Sequence, residues 1–169
     1  MKKSIATALI AFAMPAFAAD PGVPKEAKEL QCLVGNWKGQ GTMKTPDGQS
    51  MTMQVALDCK AAAGGYGVAC HGKFTAPGMP AYEEDDLFGY NAGDGLYHWF
   101  SITNQGETHD HKGGLSDNAF VGEYSGPQAG ALFAEQVKLA FQGDKKINFT
   151  SACTLGGKNA GVLEGTLTK

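Results

Sequence analysis

The chain has 169 residues, 43% of them hydrophobic and 18% charged, so it is long enough to bury a core as one domain and lacks a disordered or collagen-like composition. All 14 basic residues are lysines, so the planar guanidinium that binds phosphate through two parallel hydrogen bonds is missing. Together with the formal net charge of −3, this argues against nucleic acid as a partner.

Residues 1–19 have the features of a secretory signal peptide. Lys2 and Lys3 precede the apolar run 5–14, and the small-residue sequence Ala16-Phe17-Ala18 follows. An apolar run of about ten residues is too short to cross a bilayer, which needs about 20. We therefore expect an exported protein, periplasmic or secreted and not membrane-spanning, whose residues 20–169 form a single domain.

The mature chain is expected to begin with one short helix over residues 24–34. Pro24 suits a first helical turn, Ala27 and Leu30 lie at helical spacing, and Gly35 ends the pattern. After this glycine the hydrophobic pattern changes to a period of two, which is typical of β-strands.

Residues 51–60 show the period of two most clearly. Their apolar side chains alternate with polar or small ones, so that one face carries Met51, Met53, Val55, Leu57 and Cys59. Gly64-Gly65 then predicts a two-residue hairpin turn. The register of that hairpin sets Cys59 directly opposite Cys70, at a Cα separation of about 5.5 Å, and keeps the apolar faces of both strands on one side.

The four cysteines are expected to form two disulfides, because an oxidising compartment favours them and no C-x-x-C metal or redox motif is present. The hairpin register pairs Cys59 with Cys70. Cys32 and Cys153 then pair by elimination. Four buried free thiols are the alternative.

Turn sequences rich in Gly, Asn and Asp recur at hairpin-sized intervals along the rest of the chain. Consecutive hairpins without a long crossover predict an antiparallel meander, and closure into a barrel removes its exposed edges. We therefore expect an all-β fold, an antiparallel up-and-down barrel of about ten strands with a short N-terminal helix. The expected strands are 36–44, 51–60, 66–76, 85–91, 95–103, 107–115, 119–125, 131–142, 146–155 and 160–168.

Two segments resemble known families. Gly35-Asn36-Trp37-Lys38-Gly39 is similar to the Gly-x-Trp-x-Gly signature of lipocalin-like, calycin-type barrels. The segment 88–97 resembles the Gly-Tyr-Asp…Gly-x-Tyr stretch of an exported bacterial family, domain of unknown function 1579. The first segment also resembles the start of nitrobindins, ten-stranded barrels that bind haem, although their haem-ligating histidine maps to no position here. The resemblance implies the barrel fold and leaves the activity open.

Three histidines are candidate metal ligands. His109 and His111 are two residues apart on one expected strand and therefore share a face. If Gln105-Gly106 is the hairpin turn, His98 lies diagonally across from His111 on that same face. Three imidazoles so placed can bind Zn²⁺ at about 2.0–2.1 Å and leave a fourth position open. A slip of one residue in the turn would move His98 to the opposite face, and histidines beside a polar barrel mouth are the alternative.

Glu135 is unusual because it lies on a period-two face with Phe133, Val137 and Leu139. A carboxylate there must be hydrogen-bonded or paired, and it would orient a polar group of a ligand in the lumen. Alternatively, the inner face is the even one, or Glu135 sits at a barrel end and reaches water. The acidic run 83–86 is expected to be a solvated loop that precedes a strand.

The expected function is binding of a small, partly hydrophobic molecule in the lumen, since barrels of eight or more strands can hold one small ligand. Nucleophile-elbow, P-loop and H-E-x-x-H motifs are missing, although a lumenal acid or base remains compatible with catalysis. The alternatives are a zinc- or haem-binding protein that uses His98, His109 and His111, and an interaction module of the cell envelope. The expected ligand-binding residues are Met53, Val55, Phe74, Phe100, Phe133, Glu135 and Phe149.

Overall fold

Each strand pairs antiparallel with its neighbours in sequence, and the first strand pairs with the last, which closes the sheet into a ten-stranded barrel. The computed structural model describes residues 22–169, so the expected signal peptide lies outside the described residues. The expected fold class is confirmed. The elements are α1 Lys25–Glu29 with a 3₁₀ turn Leu30–Leu33, β1 Gly35–Lys44, β2 Ser50–Ala62, β3 Gly67–Thr75, β4 Tyr82–Asn91, β5 Leu96–Thr103, β6 Thr108–Ser116, β7 Ala119–Gln128, β8 Ala131–Gln142, β9 Lys146–Leu155 and β10 Lys158–Thr168.

Within residues 22–169, no helix has both the length and the apolar character needed to span a membrane.

The helix closes one end of the barrel. Trp37 is 1% exposed, and its indole N–H donates to the carbonyl of Leu33 at 2.6 Å. The hydroxyl of Tyr97 donates to Glu29 at 2.7 Å and ties the helix to β5. Trp37, the tryptophan of the segment that resembles the Gly-x-Trp-x-Gly signature, therefore helps the helix to close this end of the barrel. The side chains packed at this end and in the adjoining core include Leu30, Leu33, Val68, Phe88, Phe120, Ile147 and Leu167.

Barrel closure depends on a close approach between β1 and β10. A Cβ at Gly39 would lie 1.9 Å from the carbonyl oxygen of Thr166, so no larger residue fits that position without moving the strand. The second glycine of the signature is therefore explained by backbone contact rather than by a turn.

The opposite end of the barrel is open. Inward-facing side chains there, such as Met53, Phe74 and Phe133, are partly exposed, whereas those near the helix are buried. The barrel thus has one packed half and one half that solvent reaches, and any lumenal site has its entrance opposite the helix.

The β2–β3 hairpin has the expected register. Cys59 faces Cys70 and Val55 faces Phe74, although the loop contains four residues, 63–66, instead of two. A disulfide joins Cys59 to Cys70 across a Cα separation of 4.0 Å, which confirms the first expected bridge.

The second expected bridge is wrong, because Cys32 and Cys153 are free thiols. Cys32 lies beside the C-terminal Lys169, at the end of the barrel where β9 begins near Lys146. Cys153 lies seven residues further along β9, about 23 Å away at about 3.3 Å per residue. The Cys32–Cys153 bridge was expected only because the other two cysteines pair with each other, and the distance between the two thiols was not considered.

The β5–β6 hairpin differs by one residue from the expected register. Trp99 faces His111 and Ser101 faces His109. The backbone N–H of Thr103 donates to the carbonyl of Glu107, and this pair closes a three-residue loop, Asn104-Gln105-Gly106. Gly106 lies in the left-handed region at φ +82°, which is the usual conformation of such loops. The extra loop residue moves His98 and Phe100 to the outer face.

We predict that the double variant Cys59→Ala/Cys70→Ala loses about 3 kcal/mol of unfolding free energy, because the bridge restricts the unfolded chain and closes a loop with a sequence separation of 11. Urea unfolding under non-reducing conditions measures this loss. The matched control is Cys32→Ala/Cys153→Ala, which removes two free thiols and should cost clearly less. An equal loss in both double variants would contradict the disulfide assignment.

Candidate functional site

A polar cluster lies inside the open half of the barrel. His111 Nε2 is 2.8 Å from Glu135 Oε2, and His109 Nδ1 is 3.6 Å from the same oxygen. The second carboxylate oxygen of Glu135 accepts a hydrogen bond from the Ser151 hydroxyl at 2.5 Å. The side chains of His109, His111 and Glu135 are 12%, 3% and 14% exposed. Glu135 therefore points inward, as the period-two face predicted.

Aromatic rings hold the imidazole of His109 in place. The Tyr124 ring stacks on it with a centroid separation of 4.3 Å, and Phe133 lies at 5.4 Å. Trp99 lies 5.2 Å from the ring of His111. These rings come from the strands on either side of β6 and from β8, so barrel curvature brings together side chains that are distant in sequence.

A second acidic group lies beside the cluster, on β4. Asp86 is 3% exposed and accepts hydrogen bonds from Trp99 Nε1 at 2.7 Å and Ser101 Oγ at 2.6 Å. Glu84 occupies the next inward position towards the open end. The interpretation of residues 83–86 as a solvated loop is therefore wrong, because β4 begins at Tyr82 and strand alternation turns every second carboxylate inward.

The pKa of Glu135 lies well below its ordinary value. Burial by itself disfavours the charged form, but the neighbouring imidazole of His109, hydrogen bonds from His111 and Ser151, and the charge of His111 outweigh that effect. Glu135 is therefore a carboxylate at every pH at which the protein is expected to work.

The pKa values of the two β4 carboxyls move in the opposite direction. Burial, followed by the nearby Asp86 carboxylate, raises the pKa of Glu84 to about 8, although a hydrogen bond with Tyr82 opposes the shift. Burial also raises the pKa of Asp86 to about 6, against hydrogen bonds from Ser101 and Trp99 and the charge of His111. The lumen therefore holds one ionised carboxylate beside two that retain protons more readily than in water.

No lysine points into the lumen below its rim in the described part of the chain. Every strand lysine occupies an outward position except Lys158, which is exposed at the rim where β10 begins. Since the sequence has no arginine, the two imidazoles are the only groups among residues 22–169 that can carry a positive charge inside the barrel. The inward carboxyl groups of Glu84, Asp86 and Glu135 therefore outnumber the cationic groups that face them.

The predicted convergence of three histidines is wrong. His98 lies on the outer face, where Nδ1 is 3.0 Å from Asp110 and Nε2 is 3.0 Å from Asp94. Only His109 and His111 of the predicted ligand set meet in the lumen, and Glu135 takes the place that His98 was expected to fill.

The six apolar residues that were predicted to bind a ligand divide into three groups. Met53, Phe74 and Phe133 face the open half of the lumen, while Val55 and Phe149 are buried in its wall. Phe100 was expected to face inward, but it is 36% exposed on the outer face beside Leu87 and Ile102. Its displacement follows from the same one-residue shift that moves His98.

Cys153 faces the lumen across from Glu135, and its thiol lies 3.5 Å from the Ser151 hydroxyl. Burial raises the pKa of this thiol to about 11, so it stays protonated at neutral pH and is a poor nucleophile.

Four residues of the site were not predicted from the sequence: Glu84, Asp86, Tyr124 and Ser151. For the β4 pair a signal was present, because Glu84 and Asp86 continue the even-numbered face of Phe88 and Tyr90. The alternation was overlooked because four acidic residues in a row are typical of a solvated loop.

We predict that Glu84→Gln removes part of the pH dependence of stability. The raised pKa means that the folded protein retains a proton which the unfolded chain releases above about pH 4.5, so stability falls as pH rises from there to about 8. The substituted amide does not ionise, so the variant does not lose this stability as the pH rises. We expect the unfolding free energy of Glu84→Gln, measured relative to the unsubstituted protein, to be roughly 2–4 kcal/mol higher at pH 8 than at pH 5. Urea titrations at both pH values measure this difference.

Glu83→Gln is the matched control, because Glu83 lies on the outer face and pairs with Lys73 at 2.6 Å. It should follow the pH dependence of the unsubstituted protein. An identical pH response of both variants would mean that Glu84 faces water.

No protein-family model matches the chain, and no curated protein matches it by sequence. Solved structures do match it. An S-type phycobiliprotein lyase, CPES, from Guillardia theta has a TM-score of 0.57 at 10% identity, over 82% of this chain and 88% of that one. Rv2717c from M. tuberculosis has a TM-score of 0.63 at 12% identity, over 87% of this chain and 98% of that one. At these identities the similarity shows the fold alone, a closed antiparallel barrel.

Proposed function

We propose that this protein binds a small, partly hydrophobic molecule in the open half of its barrel. The observation that carries the proposal is the contrast between the two halves of the lumen. The half beside the helix is packed, whereas the apolar side chains around the polar cluster remain partly exposed. Apolar walls with a few convergent polar groups are typical of small-molecule sites.

The charges in the lumen select the kind of ligand. Glu135 is ionised, Glu84 and Asp86 lie nearby, and no lysine or arginine of the described chain opposes them below the rim. An anionic head group would lose its hydration without gaining a cationic partner, because Glu135 already engages both imidazoles. We infer a neutral or cationic ligand. Haem, with its two carboxylates, is a poor fit.

The aromatic residues near the mouth support the same choice. Phe74 and Tyr82 form an edge-to-face pair with centroids 5.5 Å apart, and Tyr124 and Phe133 lie 6.2 Å apart. Aromatic faces attract organic cations, and the attraction strengthens away from water. An amine or ammonium group attached to an apolar body satisfies both the rings and the carboxylates.

We also infer that the protein is exported to the periplasm or secreted. The sequence of residues 1–19 supports this, and so does the Cys59–Cys70 disulfide, since such bridges persist in oxidising compartments. The segments around Trp37 and Tyr90 favour kinship with the exported bacterial family called domain of unknown function 1579.

Displacement of a neutral, environment-sensitive fluorescent probe tests the proposal. Decyltrimethylammonium and decanoate have the same chain length and opposite charge, and the assay contains a metal chelator. We expect the ammonium compound to displace the probe at a concentration at least about tenfold lower, a preference of about 1.4 kcal/mol. Phe133→Ala should weaken the binding of the ammonium compound by about the same factor.

Phe100→Ala is the matched control, because it removes an equal side chain from the outer face. It should leave displacement unchanged. Failure of both compounds to displace the probe, a preference for decanoate, or an equal effect of the two phenylalanine variants would contradict lumenal binding of a cationic amphiphile.

A further inference from the structure

The donor atoms of His109, His111 and Glu135 all lie within 4.8 Å of one another. Two imidazole nitrogens and one carboxylate oxygen form a ligand set that zinc and other first-row transition metals favour. Magnesium and calcium prefer sites built from oxygen alone. The chemistry of the donors therefore selects a transition metal before any distance is considered.

The separations between the donors suit a single ion. At a metal–ligand distance of about 2.0–2.1 Å, tetrahedral ligand atoms lie about 3.3 Å apart. The two nitrogens lie 2.8 Å and 3.6 Å from Glu135 Oε2, on either side of that value. The two nitrogens lie within 4.8 Å of each other, so side-chain movements that bring them closer would let a metal ion replace the proton shared by His111 and Glu135.

An independent observation concerns the second nitrogen of His111. Nδ1 is fully buried and has no hydrogen-bond partner among the described residues, although the side chain is only 3% exposed. A completed structural network would satisfy both nitrogens of a buried imidazole. An ion bound at Nε2, the nitrogen that contacts Glu135, would leave Nδ1 without a partner as well, so this nitrogen marks an incomplete network around His111 and does not by itself select a metal.

The surroundings favour a cation at this position. Asp86 lies close enough to His111 for their charges to interact, and Glu84 adds a third carboxyl to the same wall. No lysine below the rim, within residues 22–169, would repel an incoming ion. Tyr124 and Phe133 fix the ring of His109, so little side-chain freedom is lost when a metal binds.

We propose that His109, His111 and Glu135 bind one divalent first-row transition-metal ion of the zinc type, with a coordination position left open towards the lumen. Cys153 is not a ligand, because its sulfur lies outside the set of mutually close donors. This metal site goes beyond the proposed binding of an organic molecule, because a metal ion can bind there without an organic ligand.

Zinc titration of the intact, disulfide-bonded protein tests the site. The protein carries no polyhistidine tag, and no organic ligand is added. We expect one Zn²⁺ per chain by calorimetry, with heat that is lost after treatment with chelator. Removal of a residue that merely orients a metal ligand lowers metal affinity about 10–100-fold. Removal of a ligand itself should cost more, so we expect His109→Ala and Glu135→Gln each to weaken zinc binding by at least about 100-fold.

His98→Ala is the matched control. It removes a histidine that also contacts two carboxylates, Asp94 and Asp110, but on the outer face of the same hairpin. It should retain the zinc affinity of the unsubstituted protein. Urea unfolding of each variant shows whether it is folded, and Glu135→Gln keeps the shape of the side chain if His109→Ala does not fold.

Substitution of Co²⁺ for Zn²⁺ supplies a spectroscopic readout. A bound Co²⁺ ion with nitrogen and oxygen ligands should give visible d–d bands without a thiolate charge-transfer band. Lack of saturable zinc binding, or equal losses in His98→Ala and His109→Ala, would overturn the proposal. Because the probe-displacement assay contains chelator and the zinc titration contains no amphiphile, each proposal can fail without the other.

Discussion

Glu84, Asp86 and Glu135 place their carboxyl groups inside this barrel, and within residues 22–169 no lysine or arginine side chain below the rim is available to neutralise them. Glu135 is satisfied by two imidazoles and a hydroxyl, while Glu84 and Asp86 compensate for burial by holding protons more tightly. Burial of charge is costly unless it is paired, so this arrangement restricts what the lumen can accept. Both the preference for a cationic ligand and the metal site follow from this imbalance of charge.

The fold supplies the site through two simple constraints. Alternation along each strand directs every second side chain inward, and antiparallel pairing sets which inward residues become neighbours. Trp37 and the helix pack one end, so polar residues are confined to the other. The cluster therefore lies where solvent and ligands can enter, and the packed half provides the rigid wall that holds its geometry.

Much of the architecture was predictable from the sequence, and the errors have identifiable physical causes. The β2–β3 register was correct because the hairpin is symmetric about Gly64-Gly65, whatever the number of loop residues. The β5–β6 register was wrong because Gly106 closes a three-residue loop, which reverses the face of His98. Glu84 and Asp86 were missed because a dense charge run is usually solvated, and only the tertiary environment makes their burial tolerable. Glu135 was recognised from its apolar strand neighbours.

Titration of the individual carboxyl groups by ¹³C NMR tests the electrostatic account most directly. Glu84 and Asp86 should titrate with midpoints near pH 8 and 6, while Glu135 remains ionised well below the range of an ordinary glutamate. The outward neighbour Glu83, whose pKa is lowered by its hydrogen bond with Lys73, serves as the comparison on the same strand. If all of these groups titrated together near pH 4, the lumenal carboxyls would be solvated and the account of buried carboxyl groups without a neutralising lysine or arginine would be wrong.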